Sequence, residues 1–580
     1  MAKLTTNSQE TTIGELFQIG PSLYLIPFFQ REYRWSPDKV KNLIQDILNV
    51  VDGVSDKHFL GAIIVHGRKS APTEPRVFEV IDGQQRLTTT FLFISALVKF
   101  LSQEGFVKDA ALIAQNYLQM GHSFRGSNLR IHSCRLDRTM VRNVIDDILS
   151  DAKFIEAMSP YHLTPLPNHG EGRGALRNNY NRFKRFFQDE FEQGGIERVR
   201  SIYEAFFSNF TVVQIDVLDP TDGPKIFDSL NSQQEPMKIS DLVRNEIFRK
   251  VADQSPDYVE EIDSKYWQPF YESFNFQGTN LFEKFLFPYA LTIDPNAKKS
   301  DVFIKLRELW SKSDNPTDII AQLSGMRAPF MQASTGKNSC EFSKDVAKRF
   351  EQLVQLGAPG SLLPFTMQVA RALASGQVTS DTTIEVLDLI QSFLVRRALC
   401  GFEPTGLHAV FKGLWQEIDG DLSVMKVSET IARHKTVTWP GPKEVRDAIK
   451  QRPLYKSAIT PYFLLEYDRS LGGDAHMAIE TVEHVLPQKP GTEWKKKYGE
   501  NRISPDTDAL PNLVPCTGSM NSSLGNQDYS EKRKRFLEDS KFKSTRDFAK
   551  SFENWNSSNF LVRAKNMGDW AVTRWPHEKP

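Results

Sequence analysis

The stretch Thr481-Val-Glu-His-Val-Leu-Pro-Gln488 places an acidic residue directly before a histidine, on an apolar run that is typical of a β-strand. Histidine titrates near neutral pH, so His484 could act as a base that deprotonates water. Phosphodiester cleavage also needs a divalent ion, and a carboxylate such as that of Glu483 is a hard ligand that suits Mg²⁺. Taken alone, a Glu-His pair more often lies on the surface, or its histidine is buried in the core with its hydrogen bonds satisfied there.

Two asparagines farther along extend the pattern. Asn512 lies in a second apolar run that we predict to be a strand, and Asn521 lies beside a helix. An acid-His pair, a middle Asn and a last Asn in this order resemble an HNH (ββα-metal) nuclease. We expect the groups of Glu483, His484 and Asn521 to converge around one cation. Asn526, which also lies just before a helix, is a rival to Asn521.

Composition limits the classes of protein. The 580 residues allow two to four domains, and 72 Lys+Arg balance 72 Asp+Glu, which excludes a globally basic DNA-coating protein. The four cysteines are far apart and form no Cys-x-x-Cys pair, so we expect reduced thiols in a cytoplasmic protein. No apolar run approaches the roughly 20 residues of a membrane span, and the first residues lack a signal-peptide core.

A second polar motif, Asp82-Gly-Gln-Gln-Arg86, follows a predicted strand at Arg76–Ile81 and precedes a helix that runs to about Leu101. Helix N-termini present free N–H groups and a partial positive charge, which suits phosphates. Gly83 lets the backbone approach a ligand, and Arg86 can bind an anion through two hydrogen bonds. The alternative is an ordinary turn in which Arg86 pairs with Asp82 to fix the fold. No Walker A sequence occurs.

The remaining patterns predict further elements. Ser36 and Pro37 mark the start of a helix that runs to Val51. Other strands are predicted at Tyr24–Phe29, Phe59–Val65 and Asn209–Asp216, and helices at Ala175–Phe191, Asp301–Ser313, Ser343–Leu356, Thr383–Ala398 and Trp555–Trp575. Basic clusters near the histidine motif are candidates for DNA contact, although a charge run is usually a solvated helix face. They comprise Lys495, Lys496, Lys532, Arg533, Lys534 and Arg535.

Three N-terminal segments extend the resemblance: Ile26-Pro-Phe-Phe-Gln-Arg-Glu-Tyr-Arg-Trp35, Val80-Ile-Asp-Gly-Gln-Gln-Arg-Leu-Thr-Thr89 and the segment from Phe227 to Asn245. With the histidine motif, they resemble the GmrSD-type, modification-dependent (Type IV) restriction endonucleases. Two positions depart from that family's pattern, because Gln234 lies near a usual glycine and Pro511 replaces the glycine before Asn-Leu.

The resemblance implies an α+β, mostly helical protein. Residues 1–250 would form a ParB/sulfiredoxin-like α/β sensor domain, residues 251–440 a helical connector, and residues 441–580 the HNH domain. His484 would be the general base, Asn512 would orient it, and Glu483 and Asn521 would bind Mg²⁺ or Mn²⁺. A nucleoside triphosphate (GTP, UTP, CTP or ATP) would bind at Gln30, Arg31, Asp82, Gly83, Gln84, Gln85, Arg86 and Thr88.

The function implied is a nucleotide-regulated, divalent-metal-dependent endonuclease that acts on modified phage DNA, with NTPase activity in the N-terminal domain. One nuclease centre cuts one strand at a time, so a double-strand break would favour a homodimer or repeated nicking. The alternative is a DNA- or nucleotide-binding sensor whose nuclease domain is degenerate. A third possibility is a nuclease that damages nucleic acid without requiring a modification.

Overall fold

The helix that begins after Ser36 illustrates how local sequence sets the fold. The Ser36 side chain accepts a hydrogen bond from Lys39 N, Pro37 occupies the first turn, and Val40, Leu43 and Ile47 form the buried face. The structure is a computed structural model. It describes residues 6–18, 22–27, 30–68, 75–167, 174–218, 238–251, 256–313, 315–402, 404, 406–434, 437–474 and 477–577.

Contacts divide the chain into two compact units, Met1–Gln254 and Ser255–Pro580. The first unit contains a six-stranded mixed sheet in the order β1-β8-β3-β4-β2-β7. Within it β1/β8 and β3/β4 are antiparallel, while β3/β8, β2/β4 and β2/β7 are parallel. The described strands of this unit are β1 Thr6–Thr12, β2 Ser22–Leu25, β3 His58–Gly67, β4 Arg76–Asp82, β5 Gln119–Phe124, β6 Ser127–Leu129, β7 Ile131–His132 and β8 Phe210–Val217.

Helices pack on this sheet and build the larger part of its core. The helix after β4 is buried along almost its whole length, and it packs against the long helix that ends before β8. That long helix is kinked at Gly194 and Gly195. The described α-helices are α1 Ile13–Gln18, α2 Pro37–Val51, α3 Gln84–Gln103, α4 Val107–Ile113, α5 Arg138–Ile148, α6 Ala152–Met158, α7 Ala175–Asn209 and α8 Ile239–Arg249.

The second unit is mostly helical. Its described α-helices up to the histidine motif are α9 Pro256–Glu261, α10 Gln268–Glu272, α11 Phe282–Ile293, α12 Val302–Trp310, α13 Pro316–Gly325, α14 Arg327–Thr335, α15 Lys344–Gln355, α16 Leu363–Ala374, α17 Ser380–Cys400, α18 Leu407–Phe411, α19 Leu414–Glu417, α20 Val424–Arg433, α21 Pro442–Gln451 and α22 Ile459–Ser470. A short pair, β9 Asn275–Phe276 and β10 Thr279–Asn280, interrupts them.

The histidine motif lies in a small antiparallel pair, β11 Thr481–His484 and β12 Leu513–Cys516. Two hydrophobic clusters flank this pair, and they include Val485 and Leu486 on one side and Val482 and Leu513 on the other. The described helices that follow β11 in the chain are α23 Thr492–Tyr498, α24 Glu500–Thr507, α25 Gly518–Leu524, α26 Tyr529–Glu538, α27 Lys543–Ser551 and α28 Ser557–Arg574. The order β11, β12, α25 therefore gives a strand–strand–helix unit.

The structure confirms the predicted strands at 59–65, 76–81 and 209–216 and every helix that the sequence analysis named, with ends shifted by a few residues except that α7 continues to Asn209. Asn512 is a correction, because it ends a 3-10 turn, Leu510–Asn512, rather than lying within the second strand. Pro511 favours such a turn because its ring fixes φ near the helical value. The strand predicted at Tyr24–Phe29 covers Ser22–Leu25, and residues 28–29 lie outside the described residues, as does the 227–237 part of the third resembling segment. Among the described helices, none is both long and apolar enough to cross a membrane.

Candidate functional site

Strand β11 separates the two acid-base residues of the motif. Side chains alternate between the faces of a strand, so Thr481 and Glu483 share one face and His484 lies on the other. In the ladder, Glu483 is opposite Val514 and His484 is opposite Leu513. The side chains of Glu483 and Thr481 therefore leave β11 on the face opposite that of His484, which is the last residue of the strand. The convergence of Glu483, His484 and Asn521 on one cation stays a prediction.

His484 pairs with a carboxylate that the sequence analysis did not single out. Its Nε2 lies 2.8 Å from Asp508 Oδ1, and its ring centroid lies 4.1 Å from that of Tyr455. An ionised carboxylate can only accept, so Nε2 carries the proton and Nδ1 is the nitrogen with the free lone pair. Burial lowers the pKa of His484 below its ordinary value, while the hydrogen bond to Asp508 opposes that shift. The imidazole is thus held neutral and oriented.

On the opposite face, Glu483 is paired with a lysine. Lys532 Nζ donates to Glu483 Oε1 at 2.6 Å and to the His484 carbonyl oxygen at 2.7 Å. The Lys532 side chain is 0% exposed and that of Glu483 is 8% exposed. Burial raises the pKa of Glu483, and the nearby ammonium opposes the rise. One lysine therefore binds both residues of the Glu-His pair.

Asn521 lies on α25, next to the Glu483 face of β11. Its Nδ2 donates to Thr481 Oγ1 at 2.8 Å, and Thr481 precedes Glu483 by two positions on the same face. The amide oxygen of Asn521 stays available to a ligand on that side. Asn526, the rival residue, is exposed in the turn after α25.

Asn512 is fully buried and contacts the main chain beyond His484 rather than the imidazole. Its Oδ1 accepts from Leu486 N at 2.8 Å and from Trp555 Nε1 at 3.0 Å. Its Nδ2 donates to Leu486 O at 2.9 Å and to Thr507 O at 2.7 Å. Arg563 holds the flanking carbonyls of Pro511 and Leu513. Asn512 thus fixes the turn that follows the histidine.

The oxygen ligands suit a magnesium-like ion in part. Among the described residues, no group of three or more His, Cys, Asp and Glu side chains lies close enough to hold a metal. Mg²⁺ is commonly bound by one or two protein carboxylates, with waters and substrate phosphates completing its shell. The Glu483 carboxylate and the Asn521 amide oxygen fit that mode better than a closed protein cage, although Glu483 Oε1 also contacts Lys532.

The predicted DNA-contacting cations differ in their exposure. Lys532 is a correction, because its ammonium is buried on Glu483 and is not presented to solvent. Arg533 donates to Ala549 O and Arg535 to Asp539, whereas Lys534 is exposed on the outer face of α26. On α23, Lys495 and Lys496 are both exposed. A helix buries one face, and Lys532 occupies it together with Phe536.

The other candidate site, the polar turn 82–86, joins β4 to α3. Gly83 has φ +94°, and a Cβ there would lie 3.0 Å from Ile63 Cα, so the close approach of β3 requires glycine. Among the residues that the structure describes, no side chain caps α3, which leaves the N–H groups of its first turn for another partner. Gln84 Oε1 is buried and has no hydrogen-bond partner within the described part of the chain.

Most side chains of this turn stabilise the fold through hydrogen bonds or ion pairs with neighbouring residues. Arg86 Nε donates to Leu60 O at 2.8 Å and its Nη1 to Ala62 O at 3.0 Å, while Asp82 Oδ2 lies 3.8 Å away. Gln85 binds the main chain of Glu32 and Arg34. From the sequence, Arg86 could either bind an anion or stabilise the turn. These contacts are those of a residue that stabilises the turn.

The remaining residues predicted to bind nucleotide lie around the same turn. Gln30 donates to the carbonyls of Val80 and Ile81 at the end of β4. Thr88 is buried on α3, and Arg31 is exposed. Burial raises the pKa of Asp82, whereas Arg86 and Arg31 lower it. Arg31 and the start of α3 are thus the parts of the predicted set that are left for a ligand.

Several residues at the histidine site were missed from the sequence. Asp508 and Tyr455 lie in no motif and reach His484 only through the fold. The role of Lys532 was hidden because it lies in a run of four basic residues. The one available signal was the hydrophobic Phe536, four positions later, which marks the buried face of α26.

Comparison with known families gives two matches within this chain. The N-terminal domain of the GmrSD restriction endonuclease matches residues 13–248, and the C-terminal domain of the GmrSD restriction endonucleases matches residues 439–570. Together they define a restriction endonuclease, a nuclease that acts on DNA in defence. The chain belongs to the GmrSD family of these Type IV enzymes. A search of curated proteins gives no match.

Proposed function

We propose that this chain is a divalent-metal-dependent, HNH-type endonuclease that cuts modified foreign DNA and is regulated by a nucleoside triphosphate. The observation that carries the proposal is the pairing of His484 Nε2 with Asp508 at 2.8 Å, because it leaves Nδ1 as the basic nitrogen at the end of β11. A neutral, oriented imidazole is what general-base catalysis of phosphodiester hydrolysis requires.

In the proposed reaction, His484 Nδ1 takes a proton from the attacking water. Asp508 keeps the proton on Nε2 and stabilises the imidazolium that forms. Lys532 and Asn512 position the main chain on either side of the histidine, since they bind the carbonyl of His484 and the peptide groups of Leu486. Proton transfer, tautomer selection and support of the backbone are thus divided among different residues.

Glu483 and Asn521 would hold the metal ion. When bound, Mg²⁺ or Mn²⁺ supplies positive charge that stabilises the phosphate and the leaving oxygen. This placement of the metal ion is supported because Glu483 shares a face of β11 with Thr481, and Asn521 donates a hydrogen bond to Thr481. Because Lys532 already contacts Glu483 Oε1, an ion at this carboxylate has to share it with the ammonium or displace it.

The N-terminal domain, which we propose to be ParB-like, would bind and hydrolyse the nucleotide at the start of α3. Three features support this placement: the uncapped first turn, the unpartnered Gln84 Oε1 and the exposed Arg31 next to Asp82. Phosphate groups are favoured at such a helix end because N–H donors and the helix dipole act together. Arg86 would stabilise the turn rather than contact phosphate.

A second candidate function is a sensor protein with a degenerate nuclease domain. The specific observation in its favour is the buried Lys532–Glu483 ion pair, which occupies one oxygen of a proposed metal ligand. In that case the chain binds modified DNA or nucleotide and no metal restores cleavage. Only the nuclease cleaves DNA, so a cleavage assay distinguishes it from the sensor protein.

The test is a cleavage panel with the full chain. Unmodified, hydroxymethylated, glucosylated and phosphorothioated DNA are each incubated with and without nucleoside triphosphate and Mg²⁺ or Mn²⁺. We expect cutting of one or more modified substrates, dependent on metal and changed by nucleotide. Equal cutting of unmodified DNA would instead indicate a nuclease without a modification requirement. Binding without cutting under every condition would refute the nuclease and favour the sensor.

The oligomeric state belongs to the same proposal. One centre of this type cuts one strand, so double-strand breaks would require two copies or two successive events. Light scattering of the chain on nicked and intact plasmid would separate a homodimer from a monomer that nicks repeatedly.

A further inference from the structure

The curled sheet of the N-terminal unit encloses a polar cavity far from the turn 82–86. Its volume is about 190 Å³, and its lining comes from four strands: Gln9 and Thr11 of β1, Ser22 and Tyr24 of β2, Arg76 and Phe78 of β4, and Gln214 and Asp216 of β8. Each strand contributes two residues that are two positions apart, so all eight side chains lie on one face of the sheet. We call this cavity the end pocket.

The end pocket and the turn 82–86 lie at opposite ends of β4. Arg76 begins that strand and Asp82 ends it, which separates them by about 20 Å at the usual rise of a strand. The two places therefore do not form one site. Because the inward face of a sheet is normally apolar, six polar residues among the eight lining positions indicate a built binding surface.

The floor of the pocket is aromatic and rigid. Tyr24 and Phe78 are buried and stacked, with ring centroids 5.6 Å apart and an interplanar angle of 19°. The Arg76 guanidinium lies 4.7 Å from the Phe78 ring centroid. Tyr24 Oη donates to Gln214 Oε1 at 2.9 Å, which orients that amide and leaves its Nε2 as a donor. Such a floor suits a flat ligand.

The charged wall presents an acceptor beside a donor. Asp216 Oδ1 accepts from Gly67 N at 2.9 Å, and Asp216 Oδ2 lies 3.9 Å from Arg76 Nη2. A Cβ on Gly67 would lie 3.0 Å from Asp216 Oδ2, so glycine makes room for the carboxylate. A carboxylate next to a guanidinium complements a ligand edge that carries an amino group beside an acceptor nitrogen.

We propose that the end pocket binds a single nucleobase that carries an exocyclic amino group, such as cytosine or adenine. The amino group would donate to Asp216, and the ring nitrogen or carbonyl would accept from Arg76 or Gln214. Proteins that read an unstacked base use this combination of edge hydrogen bonds and aromatic walls. Pockets for drug-sized ligands enclose about 300–1,000 Å³, so a cavity of about 190 Å³ has room for a base and not for a nucleoside triphosphate.

The test uses the full chain and free deoxynucleosides, so it does not depend on DNA cleavage or on the proposed nuclease. Binding of deoxycytidine, deoxyadenosine and thymidine is measured by saturation-transfer NMR and calorimetry. We expect deoxycytidine or deoxyadenosine to bind and thymidine, which has no amino group, to bind at least about tenfold more weakly. Equal binding of all three, or binding of none, would overturn the proposal.

Substitutions in the end pocket test whether the base binds there. Asp216→Asn keeps the acceptor for Gly67 N but replaces the second oxygen by an amide donor, so the preference for an amino base over thymidine should fall about tenfold. Gln9→Ala, at an exposed position, should weaken binding without affecting folding. The matched controls are Asp109→Asn and Glu10→Ala, and Glu10 lies between Gln9 and Thr11 on β1. Unchanged selectivity in Asp216→Asn together with unchanged affinity in Gln9→Ala would place the base elsewhere.

The base could come from DNA or from a free nucleoside, and a parallel arm distinguishes them. A single-stranded oligodeoxycytidine is titrated into the same variants. Loss of oligonucleotide affinity in Asp216→Asn assigns the pocket to a base of a DNA strand. Loss restricted to free deoxycytidine assigns it to a small metabolite.

Discussion

The turn 82–86 and the end of β11 both carry charged side chains, yet the fold uses them differently. In the turn, Arg86 and Gln85 are bound to main-chain groups of neighbouring segments. At β11, His484 and Glu483 are bound to ionisable side chains, Asp508 and Lys532. Bonds to peptide groups fix a backbone, whereas bonds to charged side chains also set protonation. The difference separates a structural arginine from a candidate base.

His484→Ala should reduce cleavage more than any other substitution, because it removes the proposed base and leaves the backbone in place. The rate of cleavage should fall by about 10²–10⁴. Single-turnover cleavage of the preferred substrate measures it, and circular dichroism checks the fold. His408→Ala, an exposed histidine in the same unit, is the matched control. A variant that cuts at the normal rate would remove His484 from the chemistry.

Lys532→Met tests whether the ion pair on β11 stabilises the folded chain. Removing one partner of a buried ion pair leaves the Glu483 carboxylate uncompensated, which costs about 3–5 kcal/mol of unfolding free energy. Lys534→Met, at the exposed position two residues later, should change it by no more than about 0.5 kcal/mol. Urea unfolding measures both.

A double variant measures how much the interaction between Glu483 and Lys532 contributes to the unfolding free energy. Glu483→Gln with Lys532→Met should recover part of the loss, since neither charge then lacks a partner. If Lys532→Met and Lys534→Met were equally stable, Lys532 would be a surface cation. The predicted contact between Lys532 and DNA would then be supported again.

Arg86→Lys tests whether the turn is structural. Lysine lacks the forked donors that bind Leu60 O and Ala62 O, so the unfolding free energy should fall by about 1–2 kcal/mol. Arg31→Ala, at an exposed position, should leave stability unchanged and weaken binding of nucleoside triphosphate. Thermal unfolding and calorimetric titration separate the two effects. A stable Arg86→Lys protein with weakened nucleotide binding would reverse these roles.

Asp508→Asn tests the orientation of the base. The amide retains hydrogen bonding but loses the charge that keeps Nε2 protonated, so the rate should fall about 10–100-fold. Asp508 raises the pKa of His484 through its hydrogen bond and its negative charge, so loss of the charge should move the acidic limb of the rate profile to lower pH. Rates between pH 5 and 8 measure both, with Asp447→Asn as an exposed control. A profile identical to that of the parent would exclude Asp508 from this role.

The smallest effect is a pH dependence of stability. The pKa of His484 is lower in the folded chain than its ordinary value of 6.5, so the unfolded chain binds more protons as the pH falls past that value. Stability from this site is therefore present above pH 6.5 and is lost below it. Unfolding at pH 5 and 7 should show a smaller difference for His484→Gln than for the parent. An equal difference would mean that the imidazole does not titrate differently on folding.

Local chemistry accounts for what the sequence could predict. Ser36 and Pro37 define a helix start by themselves, and short runs rich in apolar residues indicate β3, β4 and β8. The family resemblance was confirmed by both matched domains. Partnerships across the fold were out of reach, because Asp508 meets His484 through the placement of the C-terminal end of α24 and Lys532 meets Glu483 through the packing of α26. Burial, and not residue type, decided which cations face solvent.

Pro511 has no N–H, so the polypeptide cannot continue the β11/β12 hydrogen-bonding ladder with its own peptide group at that point. The carboxamide of Asn512 takes over, since it both accepts from Leu486 N and donates to Leu486 O, as a neighbouring peptide would. A side chain thus serves as one rung of a sheet. Aspartate has the same shape but no donor, and glutamine is longer by one methylene, so asparagine alone mimics a peptide there.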